Sequence, residues 1–149
     1  MNINGISFRP AQESDINYLL QLRMETMTEH LVNSSMEVSE ENHLSRILYQ
    51  FESAKLIYVD GKEAGLLKVI EDEQKVEIIQ IQISPAYQEK GIGESIIKPI
   101  LNDALSKNLP VQLSVLKSNR AINFYKKLGF KVIGEDTNSF KLEYKAIKN

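Results

Sequence analysis

Cysteine is absent from these 149 residues, which excludes disulfides, thiolate catalysis and cysteine-ligated metals. Histidine is scarce. Only His30 and His43 occur, thirteen positions apart and without His-Glu-x-x-His spacing, so neither a metal site nor a histidine-centred triad is expected. Each reads as a surface or half-buried helix residue. There is no excess charge of either sign: a net charge of -2 lacks the basic footprint of a nucleic-acid binder. No apolar run approaches the roughly 18 residues of a membrane span, and no charged segment precedes a short apolar one at the start. The expectation is a cytoplasmic chain with neither nucleic-acid nor membrane partner.

What is present is ordinary for a globular protein, with 42% apolar and 26% charged residues. That length suits one domain, residues 1–149, around one sizeable core. No linker, repeat or low-complexity stretch divides it.

Ile3 to Phe8 reads as a first strand ended by Arg9-Pro10. Ser14 then caps a helix whose apolar positions Ile16, Leu19, Leu20, Leu22 and Met27 run to about Leu31. A polar stretch, Asn33 to Ser39, precedes a second helix carrying Val38, Leu44, Ile47, Leu48 and Phe51. Strands Lys55 to Val59 and Ala64 to Ile70 flank Asp60-Gly61, a strong hairpin signal. The strand Lys75 to Ser84 completes an antiparallel meander.

A helix with Ile92, Ile96, Ile97, Ile100, Leu101, Ala104 and Leu105 on one stripe follows. It contains Pro99, which costs about 3 kcal/mol inside a helix unless relieved. The strand Val111 to Leu116 is reached through that helix, so it lies parallel to the long strand. Ser118 or Asn119 caps a last helix stopped by Gly129. Strands Phe130 to Gly134 and Phe140 to Ala146 close the order β-α-α-β-β-β-α-β-α-β-β, a mixed-sheet α/β arrangement.

The junction before the longest apolar helix carries the clearest chemical signal. Gln88-Glu89-Lys90-Gly91-Ile92-Gly93-Glu94-Ser95 joins a β-branched strand to a helix start, where unpaired N–H groups and a partial positive charge favour phosphate. A steric turn is the plain alternative. It is not a dinucleotide fingerprint, because Ile96 stands where a third glycine or alanine belongs, and it has no Gly-Lys-Ser/Thr triplet of a P-loop.

The long strand adds a second signal. Along Val76-Glu77-Ile78-Ile79-Gln80-Ile81-Gln82-Ile83 the alternation of polar and apolar residues slips by one between Glu77 and Gln80. A β-bulge between Ile78 and Gln82 repairs it and returns Glu77, Gln80 and Gln82 to one face. A strand buried on both faces is the alternative.

With the glycine loop, the run Phe124-Tyr125-Lys126-Lys127-Leu128-Gly129-Phe130 and this element order, the chain resembles the GNAT superfamily of N-acetyltransferases over nearly its whole length. Gln88-x-x-Gly91-x-Gly93 fits that family's Gln/Arg-x-x-Gly-x-Gly/Ala signature, and Tyr125 to Phe130 fits its Tyr-x-x-x-Gly-Phe segment. Arg9-Pro10-Ala11 followed by Asp15 looks like its usual opening. The resemblance implies a central, mostly antiparallel sheet of about seven strands, two of them parallel and splayed, with helices on both faces. It implies acetyl-coenzyme A as co-substrate: Gln88, Glu89, Lys90, Gly91, Ile92, Gly93, Glu94 and Ser95 hold the pyrophosphate, and Ile81, Gln82 and Ile83 pair with the pantetheine arm.

Asn119 is assigned to cofactor contact. Many members place an asparagine seven residues before the tyrosine, where Ser118 stands here; Asn119 is six before it, and either residue can serve as a helix cap only. The implied reaction is direct acetyl transfer to a primary amine without a metal. Tyr125 stands near the thioester sulfur as general acid, with a core aromatic as its plain alternative.

Glu77 lies eleven residues before Gln88, a register that some members use for the base that takes the amine's proton directly or through water; an exposed strand residue is the alternative. Backbone N–H groups freed by the bulge are candidates to stabilise the oxyanion. The acceptor, a small-molecule or peptide amine, is expected against the first two helices and the last hairpin. There Glu25, Glu29, Glu37, Glu40 and Glu41 suit a cation or simply form a solvated face. A homodimer is compatible with this reading. The rival is a non-catalytic acyl-coenzyme A binding or sensing module, which needs neither Tyr125 nor Glu77.

Overall fold

Arg9 sets the first corner of the chain. It stands in β1 (Ile6–Pro10) and donates to both carboxylate oxygens of Asp15 at 3.1 and 2.9 Å, while the Tyr58 hydroxyl accepts from the same guanidinium. Asp15 accepts the Gln12 N–H at 2.7 Å, winding residues 13–15 into a 3-10 turn that leads into α1 (Ile16–Asn33). Ser14 is therefore not the cap expected of it: it lies inside this turn, whose N-cap is Gln12. β1 also retains Arg9 and Pro10, which were expected to end it. As the outermost strand of the sheet it has a free edge on which proline's missing N–H leaves no gap. This computed structural model describes the backbone of residues 5–33 and 40–146 and the side chains of 5–26 and 40–146. Ile3, Met27, Glu29, His30, Leu31, Glu37 and Val38, which carried expectations, lie outside the described side chains.

α2 (Glu40–Leu48) is tied to the sheet at its end. Lys68, fully buried, donates to the backbone carbonyls of Arg46, Ile47 and Tyr49, some of the acceptors that a helix terminus leaves open. Burial pushes its amine down to about 8, yet three carbonyl partners call for the three N–H donors of the ammonium form. Lys68 belongs to β3 (Lys62–Glu71), which reverses from β2 (Ala54–Val59) through Asp60 and Gly61. Both turn residues take the left-handed angles of a two-residue hairpin, φ 51° and 81°. The chain continues through β4 (Val76–Ile83), α3 (Ile92–Ser106), β5 (Val111–Leu116), α4 (Ala121–Leu128), β6 (Lys131–Glu135) and β7 (Ser139–Tyr144).

All seven strands join one sheet in the order β1-β2-β3-β4-β5-β7-β6. Among the described residues only the β4–β5 pair is parallel. Neighbouring residues of β3 point to opposite faces and divide the core. Leu67 packs with Ile92 and Ile96 of α3, whereas Leu66 packs with Leu19, Leu22 and Ile47 of α1 and α2. Farther along the α3 face, Ile97, Leu101 and Tyr125 enclose Val76, Ile78 and Leu113. Helices thus cover both faces. Pro99 lies on the exposed side of an uninterrupted α3. Among the described residues no helix is long and apolar enough to cross a membrane.

Candidate active site

β4 and β5 start as neighbours and then part. Their pairing covers only Val76 with Val111 and Glu77 with Gln112, so beyond that point each strand turns an unpaired row of N–H and C=O groups toward a gap. A bulge on the other side of β4 accompanies the divergence. Lys68 pairs with Gln80 but Val69 with Ile78, which leaves Ile79 as the extra residue, inside the window that the sequence pattern predicts. Bulges bend and twist the strand that carries them. Cross-strand partners then fix the faces: Glu77 lies opposite Ile70, Gln80 opposite Lys68 and Gln82 opposite Leu66. All three share the α1/α2 face, as expected, while Ile81 and Ile83 pack toward α3.

Two cavities meet in the gap. One of about 370 Å³ lies under α1 and α2, lined by Arg23, Asn42, Arg46, Gln80 and Gln82 and by Leu113 to Leu116 of β5. The other, about 270 Å³, runs from Gln88 and Gly93 along Ile81 to Ile83 and reaches Asn119, Phe124 and Tyr125. Ile81, Gln82, Asn119 and Tyr125 line both. The junction is where a group held in one space can react with a group held in the other.

Gly91 takes φ 77° as the cap of α3, an angle that residues with a Cβ adopt rarely. Behind it the Ile92, Gly93 and Glu94 N–H groups open the helix, and the Ser95 N–H donates to Gly91 O at 3.0 Å. Gln88 reaches back through Nε2 to the Ile83 carbonyl at 2.9 Å, bracing the loop against the end of β4. Glu89, Lys90, Gly91, Ile92, Glu94 and Ser95 line neither cavity. Ile92 is buried with Ile6 and Ile57, which leaves its backbone as the part that can meet a ligand. Glu94 pairs with Lys98 at 3.1 Å, away from the loop.

Tyr125 is almost fully buried, wedged edge-on between Phe124 and Phe130 at centroid distances of 5.2 and 5.6 Å. Burial pushes its phenol up to about 12. Asn119 accepts the Ala121 N–H through Oδ1 at 2.9 Å, so it caps α4 and lines the site at once. Glu77 lines neither cavity. Its side chain is 38% exposed, with Lys75 Nζ at 3.7 Å. Glu25, Glu40 and Glu41 are exposed and line neither cavity.

Arg23 and Arg46 were not anticipated. Arg23 falls four residues after Leu19 on the apolar stripe of α1, and a charge inside such a stripe is the signal that marks it. Arg46 reaches the cavity only through the way α2 docks, for which the sequence carries no local signal.

Comparisons agree with this geometry. The family model described as an acetyltransferase (GNAT) domain matches residues 23–144. Spermidine N(1)-acetyltransferase of Escherichia coli (strain K12) is 31% identical across 92% of this chain and 78% of its own length. The PaiA N-acetyltransferase of Thermoplasma acidophilum, solved in complex with coenzyme A, superposes with a TM-score of 0.71 at 22% identity, covering 95% of this chain and 99% of that one. An acetyltransferase of Thermus thermophilus superposes at 0.75 with 16% identity, covering 98% and 100%. A sheet opened at one parallel pair, a glycine loop at its mouth and matches along most of the chain lead to one conclusion: this chain belongs to the GNAT acetyltransferases, and its reaction moves an acetyl group from acetyl-coenzyme A to an amine.

Proposed function

We propose that the chain acetylates a primary amine by direct attack, with Tyr125 giving up the proton that the departing thiolate takes and Glu77 receiving, through water, the proton that the amine loses. Acetyl-coenzyme A supplies the acetyl group as an activated thioester. Its pyrophosphate is assigned to the loop Gln88 to Ser95, through the backbone N–H groups at the start of α3. Its pantetheine amides are assigned to the unpaired edge of β4 at Ile81, Gln82 and Ile83, and Asn119 to the turn beside the sulfur. The observation that carries this reading is the end of β4–β5 pairing after Glu77 and Gln112. An open strand edge lined by apolar residues suits an extended, amide-bearing arm.

Each residue's role follows from its surroundings. A phenol pushed up to about 12 by burial holds its proton throughout the working range and has it to give when the sulfur leaves. An alkylamine with a reference value near 10.4 arrives protonated and needs an acceptor before it can attack. Glu77 shares the face of Gln80 and Gln82 but lies outside the cavity linings, which is why a water is assigned between it and the amine.

The test is amine-dependent release of free coenzyme A, read with a thiol reagent against a chain that has no cysteine of its own, and the acetylated product identified by mass. Polyamines belong among the acceptors to be tried, since the relative from Escherichia coli is a spermidine N(1)-acetyltransferase. Acetyl-coenzyme A binding with no amine-dependent thiol release would leave a binding module and overturn the proposal.

A further inference from the structure

The larger cavity carries charges that the acetyl-transfer reading leaves unused. Arg23 is 6% exposed and its Nε has no hydrogen-bond partner among the described residues. Arg46, itself exposed, lines the same space, its guanidinium 5.3 Å from the Tyr49 ring centroid. Among the described residues no carboxylate lines the cavity, and neither arginine forms an ion pair. Beside them Gln80 is 6% exposed with both ends of its amide unpartnered, and Gln82 has an unpartnered Oε1.

Burying a cation without a counter-charge is expensive, and a like charge nearby makes it more so. Arg23 registers both effects: burial and then the nearby Arg46 push it down to about 10. A bound anion relieves this arrangement, and the carboxylate of a small acceptor does so by accepting two guanidinium N–H groups side by side. The part of the space shared with the coenzyme cavity has the opposite need. Gln82, which also lines the coenzyme cavity, offers a bare amide oxygen that an amine N–H satisfies.

Resting on the acetyltransferase reading, we infer that the acceptor is a small amino-carboxylate. Arg23 and Arg46 hold its carboxylate, and its amine lies toward Gln82 and Tyr125. A cavity of about 370 Å³ is within the range of small-molecule sites. A polyamine would bring further positive charge against the buried Arg23 guanidinium and the exposed Arg46 beside it, neither of them ion-paired among the described residues. The acidic residues of α1 and α2 that can be placed do not reach the cavity to offset it.

The experiment compares matched acceptors on the intact chain: several amino acids, each with its amide and its decarboxylated amine, together with spermidine. The carboxylate forms are expected to exceed their partners by about 10- to 100-fold in kcat/KM, the worth of charge-assisted hydrogen bonds to a buried guanidinium. Arg23→Gln should erase that preference chiefly through KM, and Arg23→Lys should restore part of it. Melting with acetyl-coenzyme A reports whether each variant is folded; if Arg23→Gln fails to fold, the wild-type comparison decides alone. Equal or better turnover of the amides, decarboxylated amines or spermidine overturns this inference and leaves the acetyltransferase reading intact. An unchanged preference in a folded Arg23→Gln overturns it as well. No turnover with any amine overturns both.

Discussion

A phenol between two aromatic edges, with no charged group to draw its proton away, is neutral for a simple reason: water cannot solvate the phenolate there. Tyr125 is in that position. Tyr125→Phe removes one oxygen and keeps the packing, so it should lower turnover by about 10² to 10⁴ while coenzyme A affinity holds. Loss of affinity alone, with turnover intact in the remaining complex, would identify a packing residue. Because the wild-type phenol ionises only near 12, kcat should show no loss assignable to Tyr125 between pH 7 and about 10. Asp15 is the opposite case. Its bonds from Arg9 hold its carboxyl below the usual carboxylate range, so its contribution to stability is complete above the unfolded value near 4 and is lost as pH falls through the folded one. Arg9 is partly solvated, which moderates the effect. Asp15→Asn should lower the melting temperature by about 2–4 °C at pH 7, and the gap from wild type should close in acid. A constant gap down to pH 2 would show that packing, not charge, is what the substitution removed.

At the scale of elements, β4 joins the fold to the chemistry. One extra residue at Ile79 lets Val76 and Ile78 pack toward α3 while Glu77, Gln80 and Gln82 share the other face. The alternation of side chains encodes that bulge directly, so it was legible in the chain itself, as were the Asp60-Gly61 hairpin and the stop at Gly129. The splay of β4 from β5 came only with the family resemblance, since nothing in either strand's pattern says where a parallel ladder ends. The two arginines were harder still, because they meet only when α1 and α2 dock on one face, an outcome of long-range packing. Ser14 misleads for a local reason: the helical winding starts before it, at Gln12, whose N–H the Asp15 carboxylate accepts. Glu77→Gln tests the strand's part in the reaction. If Glu77 relays the amine's proton, kcat should fall by about 100-fold or more at pH 7, the lower end of general base catalysis. The defect should shrink as the pH nears the amine's own value of about 10.4, where no base is needed. An unchanged kcat at pH 7 would return Glu77 to the strand surface.

The whole molecule is held open along a seam. α3 and α4 cover one face, α1 and α2 the other, and between Ile78 and Ile83 the sheet lacks the β4–β5 ladder that would join its halves. A coenzyme occupying that gap supplies hydrogen bonds that the protein does not make for itself, so it should stabilise the fold by mass action. At a concentration about 100 times the dissociation constant this is worth about 2.7 kcal/mol, or a rise of about 5–10 °C in melting temperature for a chain of this size. Gly93 makes the test specific. A Cβ built there meets only Phe124 Cζ, at 3.7 Å, and valine is a better helix former than glycine, so Gly93→Val should leave the free protein about as stable as wild type. The same side chain would stand where a pyrophosphate must approach the start of α3. The variant should therefore melt within a few degrees of wild type alone yet lose the shift with acetyl-coenzyme A. A wild type that shows no shift at millimolar acetyl-coenzyme A would contradict binding in the seam, and a Gly93→Val that keeps its shift would move the pyrophosphate away from this helix.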